Sequence, residues 1–330
     1  MVLKLRTLAL TVLLALSAAA PAEAVGFQHV FAPDPDGAPL EVGIWYPSDA
    51  PAKVESLESF EQTVALDGAV AGNALPLVII ATDTGASYAG HYDTALALAD
   101  AGFVVAAVAH KGDDWRDQRS ALHIMDQPRQ IVRVIDYLLA AWPGHPHVDP
   151  ARIGIFGFGG GGFTALVDIG GEPDLPLIGP QCKEHPKDAI CAIVSANGET
   201  SLIPPVVAFR RLHDKRIRAA VIAAPALGFT FTSESLKDVT APVQLWRAAD
   251  DTITPSPFYA EPVYDALPVA PLYTVVANAG HYDFLAPCSA ALAKTSPAQC
   301  RSDPGFDRAA FHATFDRSVV AFFVKTLTAK

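Results

Sequence analysis

Basic residues are scarce in this chain. Of its 330 residues, 24 are Lys or Arg against 35 Asp or Glu, a formal charge of −11 at pH 7. That balance argues against nucleic acid or an anionic membrane face as the partner. Charged residues make 18% and hydrophobic ones 51%, so a disordered chain is excluded and a large core is provided for. Gly 23 and Pro 27 are too few for a fibrous protein. Beyond the N-terminus no apolar run has the length of a membrane span, and 75–81 and 103–109 have the length of strands. Cysteine is limited to Cys182, Cys191, Cys288 and Cys300, with no Cys-x-x-Cys beside spaced histidines, which leaves no zinc pattern. Neither a metal nor a cofactor is expected.

Residues 1–24 have the pattern of a secretory signal peptide. Lys4 and Arg6 are followed by an apolar stretch over 8–20, and Ala22-Glu23-Ala24 puts small residues at the cleavage positions. Cleavage before Val25 predicts a secreted or periplasmic protein without stable membrane insertion. In such a compartment an even cysteine count implies disulfides; three pairings exist, and the local pairs 182–191 and 288–300 are the simplest.

Residues 25–330 read as one α/β domain. Strands are expected at 40–46, 75–81, 103–109, 152–156, 217–224, 243–246 and 272–276, with turn chemistry at Pro33-Asp34-Pro35-Asp36-Gly37. Helices are expected at 91–101, from Pro128 onward, at 160–168, and at 307–330 with Phe311, Phe315, Val319, Phe322 and Phe323 on one side. Buried strands alternating with amphipathic helices predict a mostly parallel central sheet covered on both faces. Residues 170–217, with two cysteines, read as an excursion over the sheet's edge.

Chemistry is expected at Gly157-Phe158-Gly159-Gly160-Gly161-Gly162, between a strand and a helix. The spacing Gly157, Gly159, Gly162 matches the dinucleotide fingerprint. Against it, the motif follows several strands, and no acidic strand end stands about 20 residues on. An exported chain would also meet little nicotinamide cofactor. The competing motif is the nucleophile elbow Gly-x-Ser-x-Gly, whose sharp strand-to-helix turn presents a serine.

Longer strings decide between them. Gly26-Phe-Gln-His, Glu41-Val-Gly-Ile-Trp-Tyr-Pro-Ser48 and His91-Tyr-Asp-Thr-Ala95 come first. Arg152-Ile-Gly-Ile-Phe-Gly157, Gly161-Gly-Phe-Thr-Ala-Leu166, Val243-Gln-Leu-Trp246 and Asn278-Ala-Gly-His-Tyr-Asp-Phe-Leu-Ala-Pro-Cys288 follow. Together they resemble the exported dienelactone-hydrolase-like proteins akin to platelet-activating-factor acetylhydrolase, over nearly all of the mature chain. The resemblance implies an α/β-hydrolase fold and a small-molecule ester, lactone or related ligand. It places the general base at His281 and its orienting acid at Asp251, with Asp250 as the rival, in the chain order of that fold. It also places a nucleophilic serine at 159, where this chain has Gly159, and no other Gly-x-Ser-x-Gly occurs. The oxyanion pocket falls to Gly160, Asp83 and Thr84, and the family's His-Gly pair is here Thr82-Asp83.

Glycine supplies no attacking atom, and loss of a catalytic serine costs on the order of 10⁶ in turnover. A carboxylate ~4 Å from a developing oxyanion would cost about 4 kcal/mol more at an effective dielectric of ~20. The leading expectation is therefore a protein inactive by the serine route that keeps a ligand pocket. The alternative is an enzyme whose His281–Asp251 pair acts on water or substrate directly. Thr84 and Ser87 are the nearest other hydroxyls but lack elbow placement. His145-Pro-His147 reads as a solvated turn; Asp113-Asp114, beside Lys111, Trp115 and Arg116, reads as a surface charge cluster, with contact to a ligand as the alternative because loops after strands at this end build the site.

Overall fold

The computed structural model describes residues 24–121, 123–197 and 212–328. The proposed signal peptide, up to residue 23, lies outside them. Ten strands form one sheet: β1 (Ala24–Ala32), β2 (Leu40–Ser48), β3 (Lys53–Leu57), β4 (Phe60–Leu66), β5 (Leu75–Ala81), β6 (Val104–Ala109), β7 (Val148–Phe158), β8 (Ile217–Ala223), β9 (Val243–Ala248) and β10 (Leu272–Val276). Their order is β10-β9-β8-β7-β5-β6-β2-β1-β4-β3. The six from β10 to β6 run parallel, and β2 joins β6 antiparallel.

Every residue of β5 and β6 is buried, as strands covered on both faces must be. Side chains alternate between two cores. Leu77, Ile79 and Ala81 join Ile131, Val134, Ile135, Leu138 and Trp142 on one face. Val78 and Ile80 join Ala95, Leu98, Phe315, Val319, Phe322 and Phe323 on the other. The first face is covered by α2 (Asp126–Ala140) and α3 (Gly160–Asp168). The second is covered by α1 (Tyr92–Asp100) and the C-terminal helix Arg308–Phe323. Helix α2 starts two residues before Pro128, which sits in its first turn where its missing N–H costs nothing.

Two expectations need correction. The excursion at 170–217 does not lie at the sheet's edge: it leaves β7 and returns in β8, neighbours inside the sheet. It packs over other connections, with Glu172 and Asp174 N–H groups donating to the carbonyls of Ser235 and Thr230, and His185 against Phe258. Residues 198–211 of it lie outside the described residues. Nor are Asp113 and Asp114 a surface cluster; they are 6% and 4% exposed. Burial is tolerated because each accepts backbone N–H groups: Asp113 from Gly85, and Asp114 from Arg116 and Asp117.

Both local disulfides form, Cys182–Cys191 and Cys288–Cys300. His145-Pro146-His147 forms one 3₁₀ turn, with ring nitrogens on the carbonyls of Trp142 and Gly72. Among the described residues no helix is long and apolar enough to cross a membrane.

The strand order places the site. From β5 the chain crosses to β6 on one side, then returns to β7 on the other. The carboxyl ends of β5 and β7 thus flank the point where the winding reverses, the crevice that open α/β sheets use for ligands. Asp83 follows β5, and Gly159 follows β7.

Candidate active site

The turn at Gly159 has φ +57° and ψ −118°, a backbone conformation that L side chains rarely adopt. Its N–H donates to the Ala223 carbonyl (3.1 Å), and its own carbonyl accepts from Ala226 N–H (2.8 Å). The bend is therefore tied to the end of β8. The glycines around it are needed for close packing: a Cβ on Gly161 would stand 1.9 Å from the Ala81 carbonyl oxygen, and one on Gly162 2.9 Å from Pro225 Cα. The spacing of Gly157, Gly159 and Gly162 is accounted for by this tight strand-to-helix turn.

Asp83 occupies the volume in front of the bend. A Cβ on Gly159 would lie 2.3 Å from its Oδ1, 2.4 Å from its Cγ and 2.8 Å from its Oδ2. The carboxylate of Asp83 thus stands where a side chain at 159 would be. Its Oδ1 accepts from the N–H of Gly160 at 2.7 Å and of Thr84 at 2.8 Å. Of the three residues assigned to the oxyanion pocket, Gly160 and Thr84 present N–H donors, but Asp83 is the group bound there rather than a lining residue. Its side chain is 20% exposed.

His281 completes the group. It is 4% exposed and begins a 3₁₀ turn, His281–Phe284, after β10. Nδ1 is 2.8 Å from Asp251 Oδ2, while Nε2 faces Asp83 Oδ2 at 3.6 Å, an ionic contact longer than a hydrogen bond. Asp251, not Asp250, is the carboxylate on the ring; Asp250 is exposed. Asp251 Oδ1 accepts from the N–H groups of Ile253 and Thr254, and Oδ2 from the Thr254 hydroxyl, each at 2.8 Å.

Burial by itself would favour the uncharged forms of both groups. For Asp251 it is outweighed by the hydrogen bond and charge of His281 and by the Thr254 donors, which hold the carboxyl below its ordinary value. For His281 it is outweighed by the two flanking carboxylates, which raise the imidazole to about 9. At neutral pH the ring is an imidazolium between Asp83 and Asp251.

Supporting residues hold these loops. Asp113, from the loop after β6, accepts Gly85 N–H on Oδ1 (2.9 Å) and Gln127 Nε2 on Oδ2 (2.8 Å). Thr164 of α3 then donates to Gln127 Oε1 (2.9 Å). Burial pushes the Asp113 carboxyl up to about 6 despite these donors. On the other side, Asp283 Oδ2 accepts Gly280 N–H (2.8 Å), and its Oδ1 meets Arg308 Nε of the C-terminal helix (2.9 Å). Phe158 packs against the His281 ring, centroids 4.8 Å apart. Sequence reasoning raises Asp113 only as a possible ligand contact and does not single out Gln127, Thr164, Asp283 or Arg308; the available signal was Asp283 two places after His281. Ser87 turns away from the bend. Its hydroxyl contacts Glu58 and accepts Ala89 N–H to cap the turn Tyr88–His91.

The ten-stranded sheet, the bend after β7 and the acid and histidine after β9 and β10 define an α/β-hydrolase fold. Residues 63–175 match the Dienelactone hydrolase family, a segment that holds Asp83 and Gly159 but neither Asp251 nor His281. Among solved structures the chain is similar to a ferulic acid esterase from Streptomyces cinnamoneus. That likeness has TM-score 0.63 and 19% identity over 95% of this chain and 92% of that one. No curated protein sequence matches. The chain has an α/β-hydrolase fold, and over residues 63–175 it is similar to the Dienelactone hydrolase family.

Proposed function

We propose that this is an exported α/β-hydrolase-fold protein that receives a small-molecule ester, lactone or related ligand, and in which the serine acyl-enzyme route is closed. One observation carries the reading: the Asp83 carboxylate fills the volume in front of Gly159 and takes the N–H of Gly160. Closure follows at three points. Glycine provides no nucleophile. The amide suited to a substrate oxyanion already holds a carboxylate oxygen. His281, charged at neutral pH, has no vacant site for a hydroxyl proton.

The likeness to exported platelet-activating-factor-acetylhydrolase-like proteins, the leader over 1–24 and the two disulfides support a secreted or periplasmic location. By the serine route the chain is a pseudoenzyme, and Asp83, His281 and Asp251 form the ligand-facing site. The intact His281–Asp251 contact supports chemistry of another kind at the same place.

The test is active-site labelling. The purified mature protein is expected to take up no fluorophosphonate and to release no stoichiometric burst from a p-nitrophenyl acyl ester. Stoichiometric labelling of any hydroxyl would overturn the reading.

A further inference from the structure

The structure assigns Asp83 a covalent role: we propose that its Oδ2 is the nucleophile that replaces the missing serine, and that it attacks the alkyl carbon of a small epoxide. This rests on the closed serine route and goes beyond it by naming the attacking atom and the substrate class.

The two oxygens of Asp83 stand in different surroundings. Oδ1 is fixed by two N–H donors, from Gly160 and Thr84. Oδ2 has no such bonds and faces His281 Nε2 at 3.6 Å. Nε2 itself is buried without a hydrogen-bond partner. One oxygen is anchored, one is free to form a bond, and a proton carrier stands beside it.

The same arrangement selects the electrophile. Attack on an ester carbonyl would build negative charge on the substrate's oxygen, and the donors suited to hold it are taken by Oδ1. Attack on a saturated carbon builds no such charge. The N–H pair then becomes useful in the following step, when water adds to Cγ of the aspartyl ester and Oδ1 becomes the oxyanion. His281 enters as imidazolium, so it can protonate an alkoxide leaving group, which a halide or carboxylate leaving group would not require. Among saturated carbon electrophiles, ring strain makes the epoxide the one with an alkoxide leaving group.

The sequence of steps balances. The Asp83 Oδ2–carbon bond forms and the ring C–O bond breaks, with the Nε2 proton passing to the alkoxide. Neutral His281, held by Asp251 through Nδ1, then takes a proton from water as the hydroxide adds to Cγ. Collapse breaks the bond between Cγ and the ester oxygen, and the departing alkoxide takes the proton back from His281. Asp83, left as the acid, returns its own proton to Nε2. The net change is epoxide plus water to vicinal diol, and the ion pair is restored.

The experiment is turnover of styrene oxide and of 1,2-epoxyhexane by the mature protein in H₂¹⁸O, with mass spectrometry of the peptide containing Asp83. The expected result is diol formation with ¹⁸O entering the Asp83 carboxylate. His281→Gln, which removes both the acid that opens the ring and the base that activates water, and Asp83→Asn should each lose more than about 100-fold in diol formation, and any adduct that does form in His281→Gln should stay unhydrolysed on Asp83. Diol formed without ¹⁸O in Asp83 would mean direct attack by water and would overturn the assignment. So would absence of both diol and adduct with both epoxides. In either case the labelling result with fluorophosphonate stands separately, because it reports only on hydroxyl nucleophiles.

Discussion

A side chain at position 159 and the carboxylate of Asp83 compete for one volume. Gly159→Ser alone is therefore expected to destabilise the protein by about 2 kcal/mol or more, from overpacking added to a strained positive φ. It should gain no fluorophosphonate labelling. Combining it with Asp83→Gly clears the volume and frees the Gly160 N–H, and labelling should then appear; denaturant melts and intact-mass spectra check both.

His281 gives a second outcome at the scale of one residue. Its value in the folded state is about 9 against an ordinary 6.5, so its protonation stabilises the fold. That contribution is fully present below pH ~6.5, declines as pH rises toward 9 and is gone above it, a loss on the order of 3 kcal/mol. In Asp83→Asn one flanking charge is removed, so the decline should still start near pH 6.5 but be smaller and end at lower pH. Urea titrations between pH 6 and 10 measure it. Gly159, His281 and Asp251 were legible in the chain because each sits in a local string with a fixed place in the fold. Asp83 could be assigned to the oxyanion pocket by resemblance, but that its carboxylate fills the volume in front of Gly159 was not legible, since it depends on which strands become neighbours.

Among the elements, the loop after β5 is braced from two helices through Asp113, Gln127 and Thr164. Asp113→Ala would strand the Gly85 N–H and the Gln127 amide, each at a cost of about 1–3 kcal/mol. We expect reduced stability together with a lower His281 titration midpoint by NMR, because Asp83 moves with this loop. The strands from β5 to β9 could be read from sequence as short, apolar, buried runs, and the edge strand β10 from its Tyr-Thr-Val-Val composition although none of its residues is buried. β3 and β4 could not. Their exposed positions include Lys53, Ser56 and Glu61, and their turn at Glu58-Ser59 lacks glycine and asparagine even though Glu58 has φ +52°. The excursion between β7 and β8 was placed at an edge because composition reports turns and not the strands that flank them.

Over the whole molecule, parallel strands covered on both faces followed from the alternation of patterns, and the sheet adopts that arrangement. The disulfides act at this level too, each closing a short loop worth ~2–3 kcal/mol through the unfolded chain. Reduction should lower the melting temperature. Separate Cys288→Ala/Cys300→Ala and Cys182→Ala/Cys191→Ala variants should differ in kind. The first pair anchors the segment just after His281 and should broaden its imidazole resonance, whereas the second should leave it unchanged.

The reversal of winding between β5 and β7 sets two strand ends side by side, like adjoining rails. A reactive group lost from one rail can be supplied from the other while the histidine and its acid stay where they were. Motif searches that recognise such proteins by the pentapeptide on a single rail will pass over chains in which the attacking atom has crossed to its neighbour.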